Sequence, residues 1–268
     1  MVRSKLAILV LFYDQTQFIY SLNTSDRSDS DASGFVGAPV SPDSADRKHG
    51  GRSSTMADIL SGIKIPDSKI AREAAELVRQ HESELLFNHS VRVFVFGAMK
   101  GVRQNLKFDS ELLYVAALFH DLGLVDAYHT EAKRFEVDGA DAAREFLRSH
   151  GISDPKADLV WEAIALHTTP GIPQYMRPEI ALTNAGVLVD VVGIGYDEYT
   201  PEQRNQVLTA FPRGENFKNE FIQVQTCSAL KKPHTTFGTV NFDYIQEHDP
   251  TFHRPNACAR IRNAPWHS

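Results

Sequence analysis

From Pro66 onward, apolar residues recur at three- and four-residue spacing along most of the chain, the pattern of helices that each hide one face. Ile70, Ala74, Leu77 and Val78 trace the first such face. The next predicted helix runs from about Ser83 to Val102 through LLFNHSVRVFVFGAM, is too apolar for a surface helix, and is expected to be bounded by Gly101. Asp109 is a good N-cap for FDSELLYVAALFHDLG, and Gly123 stands where a glycine closes a helix. A helix is predicted over Gly139 to His150, closed by Gly151, and Asp154 followed by Pro155 reads as cap and first-turn proline for ADLVWEAIALHT. Pro178 opens EIALTNAGVLVDVV, Thr200 and Pro201 with Gln203 give EQRNQVLTAF a capping-box start, and Phe217 to Lys231 is the last clear helix. Alternating strand patterns joined by Asn-Gly or Asp-Gly turns are missing. The expected fold class is all-α, a single compact helical bundle.

Upstream the pattern breaks. Arg3 and Lys5 precede an apolar run from Leu6 to Tyr13 that stops at Asp14, a partial likeness to a secretory signal with no convincing small-x-small cleavage site behind it. From Ser21 to Thr55 the composition turns to Ser, Asp, Gly and Pro, as in SDRSDSDASG, and burial cannot repay the entropy of ordering such a stretch. Met56 then opens MADILSGIKIPDS directly before the first amphipathic segment. The expected division is a disordered leader or over-called start at 1–56 and a folded core at 57–268.

Composition narrows the partners. With 42% hydrophobic and 23% charged residues over 268 positions the chain can bury a sizeable core. Its 28 basic against 34 acidic residues leave a net charge of -6, so no global positive field attracts a phosphate backbone, and nucleic acid is not expected as a partner. No apolar run approaches the roughly 20 residues that cross a bilayer, so no membrane partner is expected either. Cys227 and Cys258 are too few for a disulfide framework and are not at CxxC spacing. A cytoplasmic protein that acts on a small molecule fits these observations, with association into a homo-oligomer left open.

Candidate chemistry is concentrated in the helices. His89 in FNHSVR, the adjacent pair His120 and Asp121 in LFHDLG, His167 in IALHTT and Asp190 in VLVDVV each interrupt an apolar helix, where an imidazole or carboxylate must find a partner. Taken singly, each is an ordinary buried polar residue. Taken together, in the order His, His-Asp, His, Asp on near-successive helices, they point to a metal site. Imidazoles and carboxylates without a thiolate suit zinc, iron or manganese.

These residues resemble the HD superfamily of all-helical metal-dependent hydrolases, named for a dyad that here is His120-Asp121. NHSVRVFVFG, ELLYVAALFHDLG, RFEVDGADAAREFL, VWEAIALHT and KKPHTTFGTV further resemble its cyanamide hydratase branch, over roughly Ser83 to Trp266. The resemblance implies an HD-domain bundle whose metal ligands are His89, His120, Asp121 and Asp190. It also implies one divalent ion, zinc first and iron or manganese as alternatives, that activates water for addition to a nitrile-like carbon. Cyanamide to urea is the expected reaction. A phosphohydrolase of nucleotides or phosphate esters is the first alternative, and a non-catalytic metal-stabilised binding module the second.

Around that set, His167 and Asp121 are the candidate catalytic residues, with His167 beside the metal as proton donor or substrate polariser. Arg92 shares a helix face with His89 and reads either as a phosphate contact or as the partner that fixes a carboxylate. His129, Glu136 and Asp138, in DAYHTEAKRFEVDGAD, are candidate proton shuttles or substrate contacts, although Glu136 and Asp138 also suit a helix N-terminus. Lys231, Lys232 and His234 read as a solvated helix end, Phe217 and Phe221 as ordinary core, and Phe237, Phe242, Phe252 and Trp266 as pins for the tail or a cover over the mouth of the pocket.

Overall fold

In the computed structural model, residues 59–254 and 256–265 are described. The leader, its signal-like run and Trp266 lie outside them. A two-residue antiparallel hairpin, β1 (Ile59–Leu60) and β2 (Ile63–Lys64), turns through Ser61 and Gly62, both at positive φ. Among the described residues, every element after it is a helix or helical turn, joined by loops. The helices are α1 (Lys69–His81), α2 (Glu84–Arg103), α3 (Ser110–Phe119), α4 (Phe135–Ser149), α5 (Asp154–Ala165), α6 (Pro178–Val187), α7 (Pro201–Ala210), α8 (Phe217–Lys231), α9 (Asn241–His248) and α10 (Ala257–Arg262). The fold is all-α.

α2 is the axis of the bundle. It packs against α3 and α6, while α4 and α5 pair with each other and close on α3. Its residues 86–99 are all buried, which accounts for a sequence with no polar stripe. A second, smaller apolar cluster of Leu86, Leu124, Phe135, Phe217 and Phe221 joins α2 to α4 and α8.

Several boundaries follow local chemistry. Ser68 and Ser83 cap α1 and α2 by accepting from Ala71 and Leu86, and Asp109 accepts from Glu111 and Leu112 at the start of α3. The capping box of Thr200 and Gln203 is complete. Other expectations shift. α2 runs through Gly101, because this glycine is a contact point: a Cβ there would lie 2.6 Å from the Phe108 ring. α4 begins at Phe135, four residues before the predicted Gly139, which turns half of the presumed loop into helix. Ser153, not Asp154, is the N-cap of α5. The hairpin, α9 and α10 are too short for periodicity to reveal them.

Candidate metal centre

The centre forms where α3 stops. His120 still has helical backbone angles, whereas Asp121 turns to φ -102° and ψ 0°, and a short 3-10 turn follows over Leu122–Leu124. Two adjacent residues of a regular helix point about 100° apart; the break at Asp121 lets both aim at one place. The turn is held there from outside. Gly123 has no positive φ and is no helix-closing glycine: a Cβ on it would sit 2.0 Å from the Phe135 carbonyl and 2.9 Å from the Gly139 nitrogen. Gly139 in turn lies so close that its Cβ would meet the Phe119 carbonyl at 2.7 Å. This pair lets the first turn of α4 press against the chain that carries the dyad.

His89, His120 and Asp121 offer one ligand atom each within 4.8 Å of one another, and all three residues are buried. The tautomers follow from the partners. His120 Nδ1 lies 2.7 Å from the Ala117 carbonyl, which only accepts, so Nδ1 carries the proton and Nε2 is a bare lone pair. His167 is fixed identically by the Ile164 carbonyl at 2.7 Å. His89 Nδ1 donates to Asp190 Oδ2 at 2.7 Å. Two bare nitrogens, His89 Nε2 and His120 Nε2, therefore face each other at 3.1 Å. Beside them Asp121 Oδ2 is buried without a hydrogen-bond partner. Lone pairs crowded against an unpartnered carboxylate oxygen repel one another unless a cation stands among them, so the donor set fits a divalent metal.

The buried charges of the centre act on one another. Burial raises the Asp121 carboxyl but is outweighed by His120, which with His89 and His167 holds it far below the carboxylate range. His120 is raised despite burial, because Asp121 stands against it. Burial lowers His89 in spite of Asp190. Burial and then the neighbouring His120 bring His167 down to about 4, so its ring is neutral near pH 7. Its Nε2 lies 3.7 Å from Asp121 Oδ1.

Asp190 reaches the centre through His89. It sits in a π turn, Leu188–Val192, that widens the end of α6 and is closed by Gly193 at φ 78°. Both its oxygens are committed. Arg92 Nε donates to Oδ1 and another Arg92 nitrogen to Oδ2, each at 2.8 Å, and Arg213 donates to Oδ1 at 3.0 Å. Arg92, fully buried, thus fixes a carboxylate, one of its two expected readings. Metal-ligating histidines are commonly oriented by a carboxylate on the other ring nitrogen, the place Asp190 occupies.

The remaining candidates surround this core. Glu136, in the first turn of α4, accepts from Arg134 and Thr168 at 2.6 Å each. Burial raises its carboxyl, yet Arg134 and Thr168, together with His167, bring it below its ordinary range. Asp138 accepts from Thr130 and from Lys232, each at 2.6 Å. That corrects the reading of Lys232 as solvated: it is 2% exposed, an ammonium buried on a carboxylate. His129 lies apart from the metal cluster, lowered first by burial and then by Lys232 and Lys231. Phe217 and Phe221 are more than ordinary core, since their rings stand 6.1 and 5.1 Å from the His89 ring. Phe242 and Phe252 do pair, at 5.4 Å, whereas Phe237 is exposed.

Sequence reasoning missed four contributors. Glu82, the C-cap of α1, buries both carboxylate oxygens without a partner, and burial and then Asp121 push it well above its ordinary range, toward the neutral acid. Tyr244 on α9 is pushed up to about 12, first by burial and then by the charges of Asp121, Asp243 and Glu136. Arg213 sits in a loop without periodicity, and Asn184 donates to the His167 carbonyl at 2.8 Å. None carries a local sequence signal, because each reaches the centre by tertiary packing.

Among known proteins, the HD domain family model matches residues 86–202. The chain is also 28% identical over 153 residues, 55% of its own length and 68% of the relative's, to cyanamide hydratase DDI2 of Saccharomyces cerevisiae, and to the same extent to cyanamide hydratase DDI3 of that yeast.

Proposed function

Because the model of the HD domain family, whose members are metal-dependent hydrolases and hydratases, matches residues 86–202, we propose that this chain hydrates a small neutral nitrile-like molecule, cyanamide foremost, to give urea. One observation carries the choice of a neutral substrate. The cations nearest the centre are already spent on carboxylates: Arg92 and Arg213 on Asp190, Arg134 on Glu136 and Lys232 on Asp138. A phosphoryl-transfer site holds cations in reserve for phosphate oxygens, and among the described residues around this centre none of these four is free for that. The two yeast relatives named for cyanamide hydration support the same reading.

His89 Nε2, His120 Nε2 and Asp121 Oδ2 would hold the ion, with Asp190 keeping the His89 ring in register. A divalent ion there supplies a Lewis acid that brings the pKa of water toward neutrality, and zinc is the first choice for such donors, iron or manganese the next. The chain's own groups handle the protons. His167, neutral and with Nε2 bare, accepts a proton from water as the oxygen bonds to the nitrile carbon, then returns it to the nitrogen whose C≡N bond has opened. Tautomerisation completes urea, and no group leaves. Phe135, Phe217 and Phe221 keep bulk water from the imidazoles.

Metal-loaded protein incubated with cyanamide should release urea, and the rate should vanish with a chelator and in His120→Ala. Absence of urea removes this reading. Phosphate release from a nucleotide panel would point to the phosphohydrolase, and a tightly held ion with neither activity to a binding module.

A further inference from the structure

Helices α8 and α9 and the first turn of α4 enclose a recess lined chiefly by Phe135, Gln225, Ser228, Lys232, Thr236 and Asn241. It has room for about one water molecule. We propose that it binds one water, which accepts from the Lys232 ammonium, donates to Asn241 Oδ1, and so completes a polar strut from α9 to the chain behind the His120-Asp121 dyad.

Two groups at the recess are incomplete in complementary ways. The Asn241 side-chain oxygen is buried without a hydrogen-bond partner. The Lys232 ammonium carries three donors. Two are placed, on Asp138 Oδ2 at 2.6 Å and on the Thr130 carbonyl at 3.1 Å. The third is left to the recess, because at 2% exposure bulk solvent does not supply its acceptor. Donor and acceptor line one space without bonding directly, and a single water between them serves both. Thr235 and Thr236, also lining it, give their hydroxyl protons to the Lys232 and Pro233 carbonyls at 2.8 and 2.7 Å, which leaves oxygen lone pairs for the second hydrogen of the water.

Charge narrows the occupant further. A cation would meet the Lys232 ammonium, and an anion such as chloride would meet the Asn241 oxygen, with Asp138 close behind the lysine. Water both accepts and donates within so small a volume.

The strut matters to the metal centre because of where it ends. Asp138 stands in the first turn of α4 against Gly123, where a Cβ on the glycine would lie 2.9 Å from the Asp138 Cβ. Phe135, in the same turn, has its ring 5.6 Å from that of His167. A water that fixes Lys232 thereby fixes Asp138, and with it the turn that presses on the dyad. Lys232 and Asn241 are positioning residues that act through Asp138.

A crystal structure of the zinc-loaded full-length protein, at a resolution that shows ordered water, should place one water within hydrogen-bond distance of both Lys232 Nζ and Asn241 Oδ1. Soaking in bromide should put no anomalous scatterer there. Asn241→Leu, close in shape but without the acceptor, should lose that water and pass zinc to a chromophoric chelator about threefold to tenfold faster, the worth of one net hydrogen bond. Asn241→Ser keeps an oxygen and opens space for water to follow it. Its zinc transfer should stay near the parent rate, a recovery that lost packing at position 241 would not give. The proposal is overturned by a dry recess, by bromide in it, or by a water that contacts only one of the two side chains. Zinc transfer at the parent rate in Asn241→Leu, or at the leucine rate in Asn241→Ser, overturns it equally. If the leucine variant does not fold, the parent structure decides alone. No arm depends on turnover, so the strut is judged independently of the hydration reading.

Discussion

His89 shows how one ring is made to serve two partners. Its Nδ1 donates to Asp190 while Nε2 is left bare toward His120. Asp190 in turn carries the charge that balances Arg92, fully buried, and the half-buried Arg213. Asp190→Asn keeps the shape of the side chain and removes that charge. Two guanidinium groups then face a neutral amide, a loss worth about 3 kcal/mol or more for a buried pair, measurable by guanidinium chloride denaturation of the metal-free protein. Metal affinity should fall roughly 10- to 100-fold in competition with a chromophoric chelator, because the His89 ring loses the acceptor that fixes its tautomer. An unchanged affinity would show that the carboxylate does not orient the ligand. Glu82 poses the opposite case. Its carboxyl has burial without a partner, so Glu82→Gln, which resembles the neutral acid, should fold with stability close to the parent in the same denaturation assay.

Among the elements, the contact between the α3 end and α4 governs the centre. Gly123→Ala would place a methyl 2.0 Å from the Phe135 carbonyl, within the backbone of α4's first turn, where nothing flexible can yield. A loss of about 1 to 3 kcal/mol is expected in thermal denaturation, accompanied by weaker metal retention, since the displaced turn carries Asp121 with it. Helix α1 is tied to the end of α4 by His150 Nε2 and Glu73 at 2.7 Å. The Phe146 carbonyl and Glu73 raise His150, and His150 lowers Glu73. A raised imidazole stabilises below its ordinary value of about 6.5 and loses that as pH rises through the folded-state value; a lowered carboxyl stabilises above about 4.5 and loses that as pH falls. The difference in unfolding free energy between the parent and Glu73→Gln should therefore be largest between those two pH values and fade on either side. A difference that grew above pH 7 would contradict this assignment.

Legibility in the sequence also differs by element. The capping box of Thr200 and Gln203 makes α7 legible to within a residue, the apolar positions Ile70, Ala74, Leu77 and Val78 all fall on α1, and α8 has its expected span although no side chain caps it. α4 was misplaced because Phe135 to Asp138 reads as polar loop, and only the close packing at Gly123 and Gly139 explains why it is helical and buried. The His-Asp dyad stood out because charged groups inside an apolar helix demand a reason. Arg213, Glu82 and the partners of Lys232 did not, because their partners lie 23 or more residues away in the chain or they have none, and no spacing rule reaches that far.

At the scale of the whole molecule, an ion bound to the folded state alone adds stability by mass action, about 2.7 kcal/mol when its concentration is a hundredfold above the dissociation constant. Chelation should accordingly lower Tm, restored by zinc, and a Tm indifferent to chelator would argue that the helices close without the ion. The residues around the centre come from two stretches of chain. Residues matched by the HD family end at 202, so His89, His120, Asp121, His167 and Asp190 all lie within the shared domain. Arg213, Phe217, Phe221, Gln225, Ser228, Asn241 and Tyr244 come after it, on a loop, α8 and α9. The C-terminal helices thus act as a keystone for the dyad's surroundings: a chain cut back to residue 202 would retain His120 and Asp121 yet strip Arg213 from Asp190 and bare the His89 ring of Phe217 and Phe221.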